Sequence, residues 1–256
     1  MRFVRYQPLR QPVRYGWVFE DRIGPIEGSP FGEFRRLDAN LTFSQAHLLS
    51  PIEPGKIICV GRNYVEQTGE EDVEIPEIPL LFLKPPSSVI GHGQKIVLPP
   101  QSQQIEQESE LAVVISRPGR WITPDLAMDY ILGYTIGNDV TARDLQRRDG
   151  QGTRAKGFDT FCPLGPWLET EFDPSDALIT CHVNREMRQM ASTRDMIFSI
   201  RQLIAFISSI MTLLPGDVLM TGTPAGQSRL AAGDIVEISI EGLGTLSNPV
   251  IAAQIP

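Results

Sequence analysis

The chain has 256 residues, of which 41% are hydrophobic and 21% charged, so it can bury a sizeable core of ordinary globular composition. Its net charge is −8 and no basic block is present, which argues against a nucleic-acid partner. Apolar runs stay well short of the ~18 residues that a membrane-spanning helix needs. The basic start of the chain lacks the apolar stretch of a signal peptide, so we expect neither a membrane anchor nor secretion.

The chain has three cysteines, Cys59, Cys162 and Cys181, which are widely spaced and form no CxxC motif. This pattern favours reduced thiols in the cytoplasm and gives no zinc site. Only three histidines are present, so histidine-based catalysis has few candidates. His92 in a GHG turn is interpreted as a solvated loop residue, and His182 within a strand-like run is interpreted as structural.

Residues 1–50 contain short alternating segments such as RYGWVF and the turn-rich stretch DRIGPIEGSPFGE. They predict a small β-rich N-terminal domain. The stretch LLSPIEPGK (48–56) is interpreted as the connection to a main domain over residues 51–256.

The main domain contains short strand-like runs separated by Gly and Pro clusters, as expected for strands joined by turns. These runs are 56–61, 80–83, 95–98, 109–115, 132–137, 177–183, 217–222 and 234–240.

Helical periodicity is clearest over residues 199–214, where apolar residues recur at helical spacing. Ser199 and Gln202 predict a capping box at its start, and Pro215-Gly216 predict its end. A shorter helix is predicted over residues 124–131. Because strands dominate and do not alternate regularly with helices, the predicted class is α+β, mainly β.

Two glutamates, Glu108 and Glu110, directly precede the apolar run LAVVI. Residues two apart on a strand point to the same side, so the two carboxylates share a face. One interpretation is a solvated strand end, with Gln107 and Ser109 on the opposite face. The alternative is a site that uses both acids.

A third carboxylate, Asp139, follows the strand-like run LGYTIGN. By itself it could be the N-cap of a helix. Together with Glu108 and Glu110, it would supply three oxygen ligands to Mg²⁺ or Mn²⁺ and leave positions for water or substrate.

Several long motifs resemble the fumarylacetoacetate hydrolase family and occur in its order. They are CVGRNY (59–64), PLLFLKPPSSVIG (79–91), ESELAVVI (108–115), GYTIGNDVTARDLQ (133–146), RAKGFDTFCPLGP (154–166) and GDVLMTGTPAG (216–226). The resemblance covers nearly all of residues 56–250. It implies a mixed β-roll catalytic domain, a divalent metal and a homodimer.

The resemblance also implies roles for individual residues. It makes Glu108, Glu110 and Asp139 the metal ligands. It assigns substrate binding to Arg143, Gln146 and Thr223, with Thr223 holding a far carboxylate. Lys156 matches an active-site lysine that contacts the reacting carbonyl or carboxylate. Without the resemblance, Lys156 and Arg143 would be assigned to the surface and Thr223 to a plain turn.

The sequence departs from the family in the segment NYVEQTGEEDVE (63–74). Many members carry a histidine and a glutamate there, which together activate water for C–C hydrolysis. Here Gln67 stands at the histidine position, whereas Glu70 is retained. A glutamine cannot accept a proton at neutral pH, which counts against hydrolysis. Glu70, with Gln67 as a hydrogen-bond partner, would be the acid or base.

The implied function is metal-dependent chemistry through a metal-bound enolate. The substrate would be a small 2-oxo or 2-hydroxydienoic di- or tricarboxylic acid, which is decarboxylated or isomerised in the catabolism of aromatic compounds. Within the family, the motifs KPPSSVIG (84–91) and RDLQRRDGQ (143–151) resemble the branch that contains 2-hydroxyhepta-2,4-diene-1,7-dioate isomerase and 5-oxopent-3-ene-1,2,5-tricarboxylate decarboxylase. Acylpyruvases are similar to this branch. Two alternatives remain: an acylpyruvate hydrolase, and a metal-binding member with little catalysis.

Overall fold

The computed structural model describes residues 1–64 and 75–254. Strands make up most of the regular structure, which confirms the predicted mainly-β class. The strands are β1 (Arg2–Pro8), β2 (Arg14–Phe19), β3 (Arg22–Gly28), β4 (Phe34–Arg36), β5 (Leu41–Thr42), β6 (Ala46–Leu48), β7 (Ile57–Gly61), β8 (Leu80–Lys84), β9 (Val89–Ile90), β10 (Ile96–Leu98), β11 (Ile105–Glu106), β12 (Ser109–Ile115), β13 (Ile131–Asn138), β14 (Thr141–Ala142), β15 (Cys162–Glu169), β16 (Leu178–Val183), β17 (Glu186–Ser192), β18 (Val218–Met220), β19 (Ile235–Ile240) and β20 (Gly244–Ala252).

The described helices are few and short. The α-helices are α1 (Arg143–Asp149), α2 (Thr153–Lys156) and α3 (Ile200–Ile210), and the 3₁₀ turns are Phe43–Gln45, Pro86–Ser88, Ala127–Tyr130 and Thr193–Asp195. In the part of the chain that the structure describes, no helix combines the length and the apolar character needed to cross a membrane.

Two large sheets form the β-roll. The first runs in the order β4-β3-β2-β1-β15-β13-β12-β18-β7-β8, and the second in the order β10-β20-β19-β16-β17. Strands β11 and β14 form a separate two-stranded pair. The antiparallel pairing of β12 with β13 matters most for function, because it sets the start of β12 beside the end of β13.

The N-terminal strands join the first sheet instead of forming a separate one. Residues Arg2 and Phe3 of β1 pair with Glu169 and Leu168 of β15, and β2, β3 and β4 continue outward from β1. The boundary between the N-terminal domain (1–50) and the catalytic domain (51–256) stays a prediction.

Strand β12 lies between two parts of the core, which explains its unbroken apolar run. All seven of its residues are buried. Leu111, Val113 and Ile115 pack into the largest core cluster, whereas Ala112 and Val114 pack into a second cluster. Because Glu110 shares the parity of Ala112 and Val114, its side chain points to the side of the second cluster.

Helix α3 begins where the sequence predicts. Ser199 is its N-cap, and the capping box with Gln202 is present. The predicted end near residue 214 is wrong, since α3 stops at Ile210. The reason is a tertiary backbone pairing: Leu213 exchanges two hydrogen bonds with Gly119, which requires extended backbone. The helix predicted over 124–131 is reduced to the 3₁₀ turn Ala127–Tyr130, because Ile131 already belongs to β13.

The sequence did not predict β15, β17 and β20, the two-residue strands β9, β11 and β14, or the helices α1 and α2. Strand β15 contains Pro163 and Pro166, and proline usually argues against an interior strand because it has no backbone N–H to donate. Strand β17 is largely polar, and α1 has only seven residues, so neither produces a clear periodic signal.

Candidate metal and active site

The antiparallel β12–β13 pair brings the three predicted metal ligands together. Asp139 directly follows β13, and its backbone N–H donates to the carbonyl of Glu108 at 2.9 Å. The side chain of Asn138 accepts the N–H of Glu108 at 3.0 Å. One carboxylate oxygen each from Glu108, Glu110 and Asp139 lies within 4.8 Å of the others.

The burial of these residues excludes the simpler interpretations of them. Glu108 and Glu110 are 6% and 1% exposed, so they are not a solvated strand end. Gln107 and Ser109 on the other face are buried as well. Asp139 is not an N-cap either, because α1 begins at Arg143 and is preceded by Ala142.

Lys156, the last residue of α2, is 3% exposed and lies at the centre of the acidic group. Its ammonium group donates to Glu108 Oε2 at 2.9 Å, to Asp139 Oδ2 at 2.5 Å and to Thr141 Oγ1 at 2.8 Å. Burial alone would lower the pKa of Lys156, but Asp139 and Glu108 outweigh burial and raise it. These partners favour the charged form of Lys156.

Arg143 and Gln146 lie one turn apart on α1 and face the same side. Arg143 donates from Nε to Glu106 at 2.9 Å, from one terminal nitrogen to Glu108, and from the other to Gln146 at 2.7 Å. These bonds use three of its five N–H groups, which leaves one on each terminal nitrogen for a ligand.

The structure adds Lys84, which the sequence analysis did not single out. Its side chain is fully buried at the end of β8 and donates to Asp139 Oδ1 at 2.6 Å. Burial tends to raise the pKa of Asp139, but Lys156 and Lys84 outweigh this and hold it below its usual value. Lys84 could have been found from the sequence, because strand alternation in the segment LLFLK places it on the same face as Phe82.

Glu110 differs from the other two carboxylates in its partners. Among the described residues its only hydrogen bond comes from the backbone N–H of Gly222, at 2.7 Å to Oε2, and no cationic side chain forms an ion pair with it. Burial, followed by the charges of Asp139 and Glu108, raises the pKa of Glu110 well above its usual value. A buried carboxylate without a cation is costly, and a divalent metal would compensate it.

The charge balance also fits a metal. The described carboxylates of the cluster are Glu106, Glu108, Glu110 and Asp139, and its cations are Lys84, Lys156 and Arg143. With every group ionised, four negative charges face three positive charges. The seven side chains together carry a net charge of −1, and with a bound divalent cation the site would carry +1. A net positive site suits an anionic ligand.

The site opens into a cavity of about 850 Å³. Glu108, Glu110, Asp139, Arg143, Gln146, Lys156 and Thr223 all line it. Thr223, predicted to bind substrate, is 5% exposed and follows β18 in the TGTP loop. Gln67 and Glu70 lie outside the described residues, so their predicted roles stay predictions.

A second cavity, of about 640 Å³, is lined by residues of β1, β6, β15 and β20 and of the loop that contains His92, and includes His47 and Trp167. Among its described lining residues there is no carboxylate, lysine or arginine, so it does not share the chemistry of the larger cavity. His92 is half-buried, and its Nδ1 accepts the backbone N–H of Ser247 at 3.2 Å.

His92 should make the folded protein sensitive to acid. Burial lowers its pKa from the usual 6.5, with a smaller opposing effect from a backbone hydrogen bond to Thr245. As the pH falls below about 6.5, the unfolded chain binds a proton that folded His92 resists, so the free energy of unfolding decreases. In His92→Asn the amide oxygen can replace Nδ1 as acceptor but does not titrate. Urea unfolding across this pH range should show a smaller acid-induced loss for His92→Asn. Parallel pH dependence in the two proteins would contradict this role.

Comparison with known families and structures agrees with the fold. Residues 56–251 match the fumarylacetoacetate (FAA) hydrolase C-terminal family, and residues 1–51 match the Rv2993c-like N-terminal family. Protein Rv2993c of Mycobacterium tuberculosis is 47% identical over 229 residues, which are 88% of this chain and 86% of the relative. The mitochondrial oxaloacetate tautomerase Fahd2a of Rattus norvegicus is 43% identical over 220 residues, which are 81% of this chain and 70% of the relative.

Three solved structures share the fold over almost the whole chain. A 5-carboxymethyl-2-hydroxymuconate delta-isomerase from Mycobacterium smegmatis has a TM-score of 0.93 and 42% identity, and covers 99% of this chain and 100% of its own. A 2-hydroxyhepta-2,4-diene-1,7-dioate isomerase from Mycobacterium marinum has a TM-score of 0.92 and 41% identity, and covers 100% of both chains. The maleylpyruvate hydrolase from Sphingobium sp. SYK-6, in complex with manganese(II) and pyruvate, has a TM-score of 0.83 and 29% identity. It covers 99% of this chain and 100% of its own. The chain is a member of the fumarylacetoacetate hydrolase family of enzymes.

Proposed function

We propose that the protein is a divalent-metal-dependent isomerase of small 2-oxo or 2-hydroxydienoic dicarboxylic acids, with keto–enol exchange as its elementary reaction. The observation that carries the proposal is the buried group Glu108, Glu110 and Asp139, which opens beside Lys156 and Arg143 into the larger cavity. Likeness to an oxaloacetate tautomerase and to two isomerases supports this choice of reaction.

Glu108, Glu110 and Asp139 would hold Mg²⁺ or Mn²⁺, because hard cations take carboxylate oxygens. The bound cation would supply Lewis-acid polarisation of a carbonyl and stabilise negative charge on its oxygen. The manganese-bound maleylpyruvate hydrolase supports a metal of this class.

The roles of the chain's own cations follow from their contacts. Lys156 has all three N–H groups engaged and a raised pKa, so it contributes fixed positive charge and does not act as a base. Arg143 has two N–H groups to offer and would orient a substrate carboxylate. Both act where negative charge develops during the exchange.

Conversion of an enol to a 2-oxo acid moves one proton. The enol O–H bond breaks and its electron pair forms the C=O π bond, while the C=C π pair takes up a proton at the neighbouring carbon to form a C–H bond. Because Lys156 holds its protons, another group must transfer them. We propose Glu70 for this, as the family resemblance implies.

Decarboxylation and C–C hydrolysis are the alternatives at the same site. Decarboxylation of a 3-carboxylated 2-oxo acid needs the same stabilised enolate and less from a base. Hydrolysis is favoured by the likeness to the maleylpyruvate hydrolase. Gln67 counts against hydrolysis, because losing a general base typically removes ~10²–10⁴ in rate.

A substrate panel tests these possibilities directly. Wild-type protein with Mn²⁺, and with chelator in its place, would be given enol-oxaloacetate, keto-oxaloacetate and acetylpyruvate. Loss of the enol absorbance reports exchange, coupled detection of pyruvate reports decarboxylation, and acetate release reports hydrolysis. The proposal predicts Mn²⁺-dependent exchange as the fastest reaction. Faster hydrolysis of acetylpyruvate would overturn the ranking, whereas hydrolysis gained only in Gln67→His would support it.

We also propose a cytoplasmic homodimer. The three cysteines are buried free thiols, which supports a reducing compartment. Leu80 on β8, the last strand of the first sheet, is 43% exposed and lines the larger cavity, which supports an interface beside the site. Light scattering of the purified protein would measure the mass.

A further inference from the structure

Gln189, on β17 of the second sheet, forms hydrogen bonds with two segments of the active site, the start of β12 and the TGTP loop. It is 1% exposed, so its amide has no access to bulk water. Its oxygen accepts the backbone N–H of Ser109 at 3.0 Å, between the metal-ligand candidates Glu108 and Glu110. Its nitrogen donates to Thr223 Oγ1 at 2.8 Å and to the carbonyl of Pro224 at 2.8 Å.

These partners determine which way the amide faces. The N–H of Ser109 can only donate, and the carbonyl of Pro224 can only accept. The Gln189 oxygen must therefore face Ser109, and its NH₂ group must face the TGTP loop. A flipped amide would place two donors together at Ser109 and two acceptors together at Pro224.

This orientation fixes the role of the Thr223 hydroxyl. A hydroxyl has one proton to donate and two lone pairs to accept with. Because Gln189 donates into Oγ1, the Thr223 proton remains available for another acceptor. Thr223 lines the larger cavity together with Arg143, where an anionic substrate would bind.

We infer that Gln189 is a positioning residue that holds Thr223 as a hydrogen-bond donor to the second carboxylate of a 2-oxo dicarboxylic acid. The inference rests on the proposed function, and it adds the residue that keeps the Thr223 hydroxyl free to donate to the second carboxylate of the substrate. Gln189 touches neither substrate nor metal in this scheme, and its effect passes through Thr223.

The test is a binding measurement that needs no turnover. Calorimetry would compare 2-oxoglutarate, which has two carboxylates, with pyruvate, which has one, on Mn²⁺-loaded protein. Thr223→Val and Gln189→Met should each weaken 2-oxoglutarate binding about ten- to hundredfold and leave pyruvate binding nearly unchanged. The double variant should bind 2-oxoglutarate no more weakly than Thr223→Val, because Gln189 acts through Thr223.

A second substitution covers the case in which Gln189→Met fails to fold. Gln189→Glu keeps an acceptor for Ser109 but turns its other oxygen toward Thr223 and the carbonyl of Pro224, so the hydroxyl would donate to Glu and not to the ligand. Its melting temperature and Mn²⁺ affinity, measured alongside, show whether this variant is folded. It should show the same selective loss. Asn248→Leu is the matched control, because Asn248 is 2% exposed and, among the described residues, donates to the carbonyls of Gly91 and Gln94, away from the larger cavity. It should cost stability without changing the preference between the two acids.

The outcomes separate the inference from the proposed function. Equal losses for both acids, no loss, or additive losses in the double variant would overturn the role of Gln189 while wild type still bound 2-oxo acids. If Mn²⁺-loaded wild type binds neither acid, both the inference and the proposed function fail. Selective, non-additive loss with unchanged Mn²⁺ affinity supports the inference.

Discussion

Replacing Glu110 by glutamine will abolish measurable Mn²⁺ binding at concentrations that saturate the wild type and lower turnover by about a thousandfold or more. A metal ion contributes several kcal/mol of stabilisation to developing charge, and each 1.36 kcal/mol is tenfold in rate. Glu110 is the ligand candidate that has no ion pair to a side chain among the described residues, so its carboxylate is the one most dependent on a metal. Isothermal titration with Mn²⁺ and the exchange assay would measure the two effects.

The same substitution should not destabilise the metal-free protein. Glutamine keeps an oxygen for the N–H of Gly222 and removes a buried negative charge near Asp139 and Glu108. We therefore expect the metal-free melting temperature of Glu110→Gln to equal or exceed that of the wild type, while the increase caused by Mn²⁺ disappears.

Glu169→Gln is the matched control for this prediction. Glu169 is also buried, at 8% exposed, but it pairs with the N-terminal amine and with Arg2, away from the site. Its loss should lower the melting temperature and leave Mn²⁺ binding intact. Wild-type Mn²⁺ affinity in Glu110→Gln would show that the carboxylate group does not bind the metal as proposed.

Lys156→Met will distinguish the contribution of the lysine's positive charge to turnover from the contribution of the metal. Turnover should fall by about 10²- to 10³-fold, as for loss of one preorganised donor to developing negative charge. The metal-free protein should lose about 3–5 kcal/mol of stability, because Glu108 and Asp139 each lose a buried cationic partner. Mn²⁺ binding should persist and should stabilise this variant more than it stabilises wild type, since the metal then compensates two net negative charges.

Lys56→Met provides the comparison. Lys56 forms an ion pair with Asp217, which is 1% exposed, so its removal also leaves a buried carboxylate unpaired. Chemical unfolding should show a stability loss, but kcat and the Mn²⁺-induced shift should match wild type. If Lys156→Met retained full kcat, the lysine would be structural only, and the proposed stabilisation of charge would have to come from other groups.

The sequence by itself was sufficient to predict those features of the protein that depend on residues close to one another along the chain. Alternation and turn residues predicted most of the central strands, and the Ser199–Gln202 capping box marked the start of α3. The three metal-ligand candidates were also found from the sequence, since their motifs resemble a known family. These signals extend over a few residues, so they can be detected without knowing the topology.

Tertiary structure decided what depends on contacts between distant segments. The sequence did not indicate that α3 would end at Ile210, because pairing of Leu213 with Gly119 ends it. Lys84 meets Asp139 across 55 residues, and Gln189 meets Thr223 across 34. The alternation of LLFLK places Lys84 on the face of Phe82, but the partner that each of these side chains meets depends on which strands become neighbours in the sheets. A buried lysine or glutamine is stabilised only by the partner it meets there, so its role appears only once the strand order and register are known.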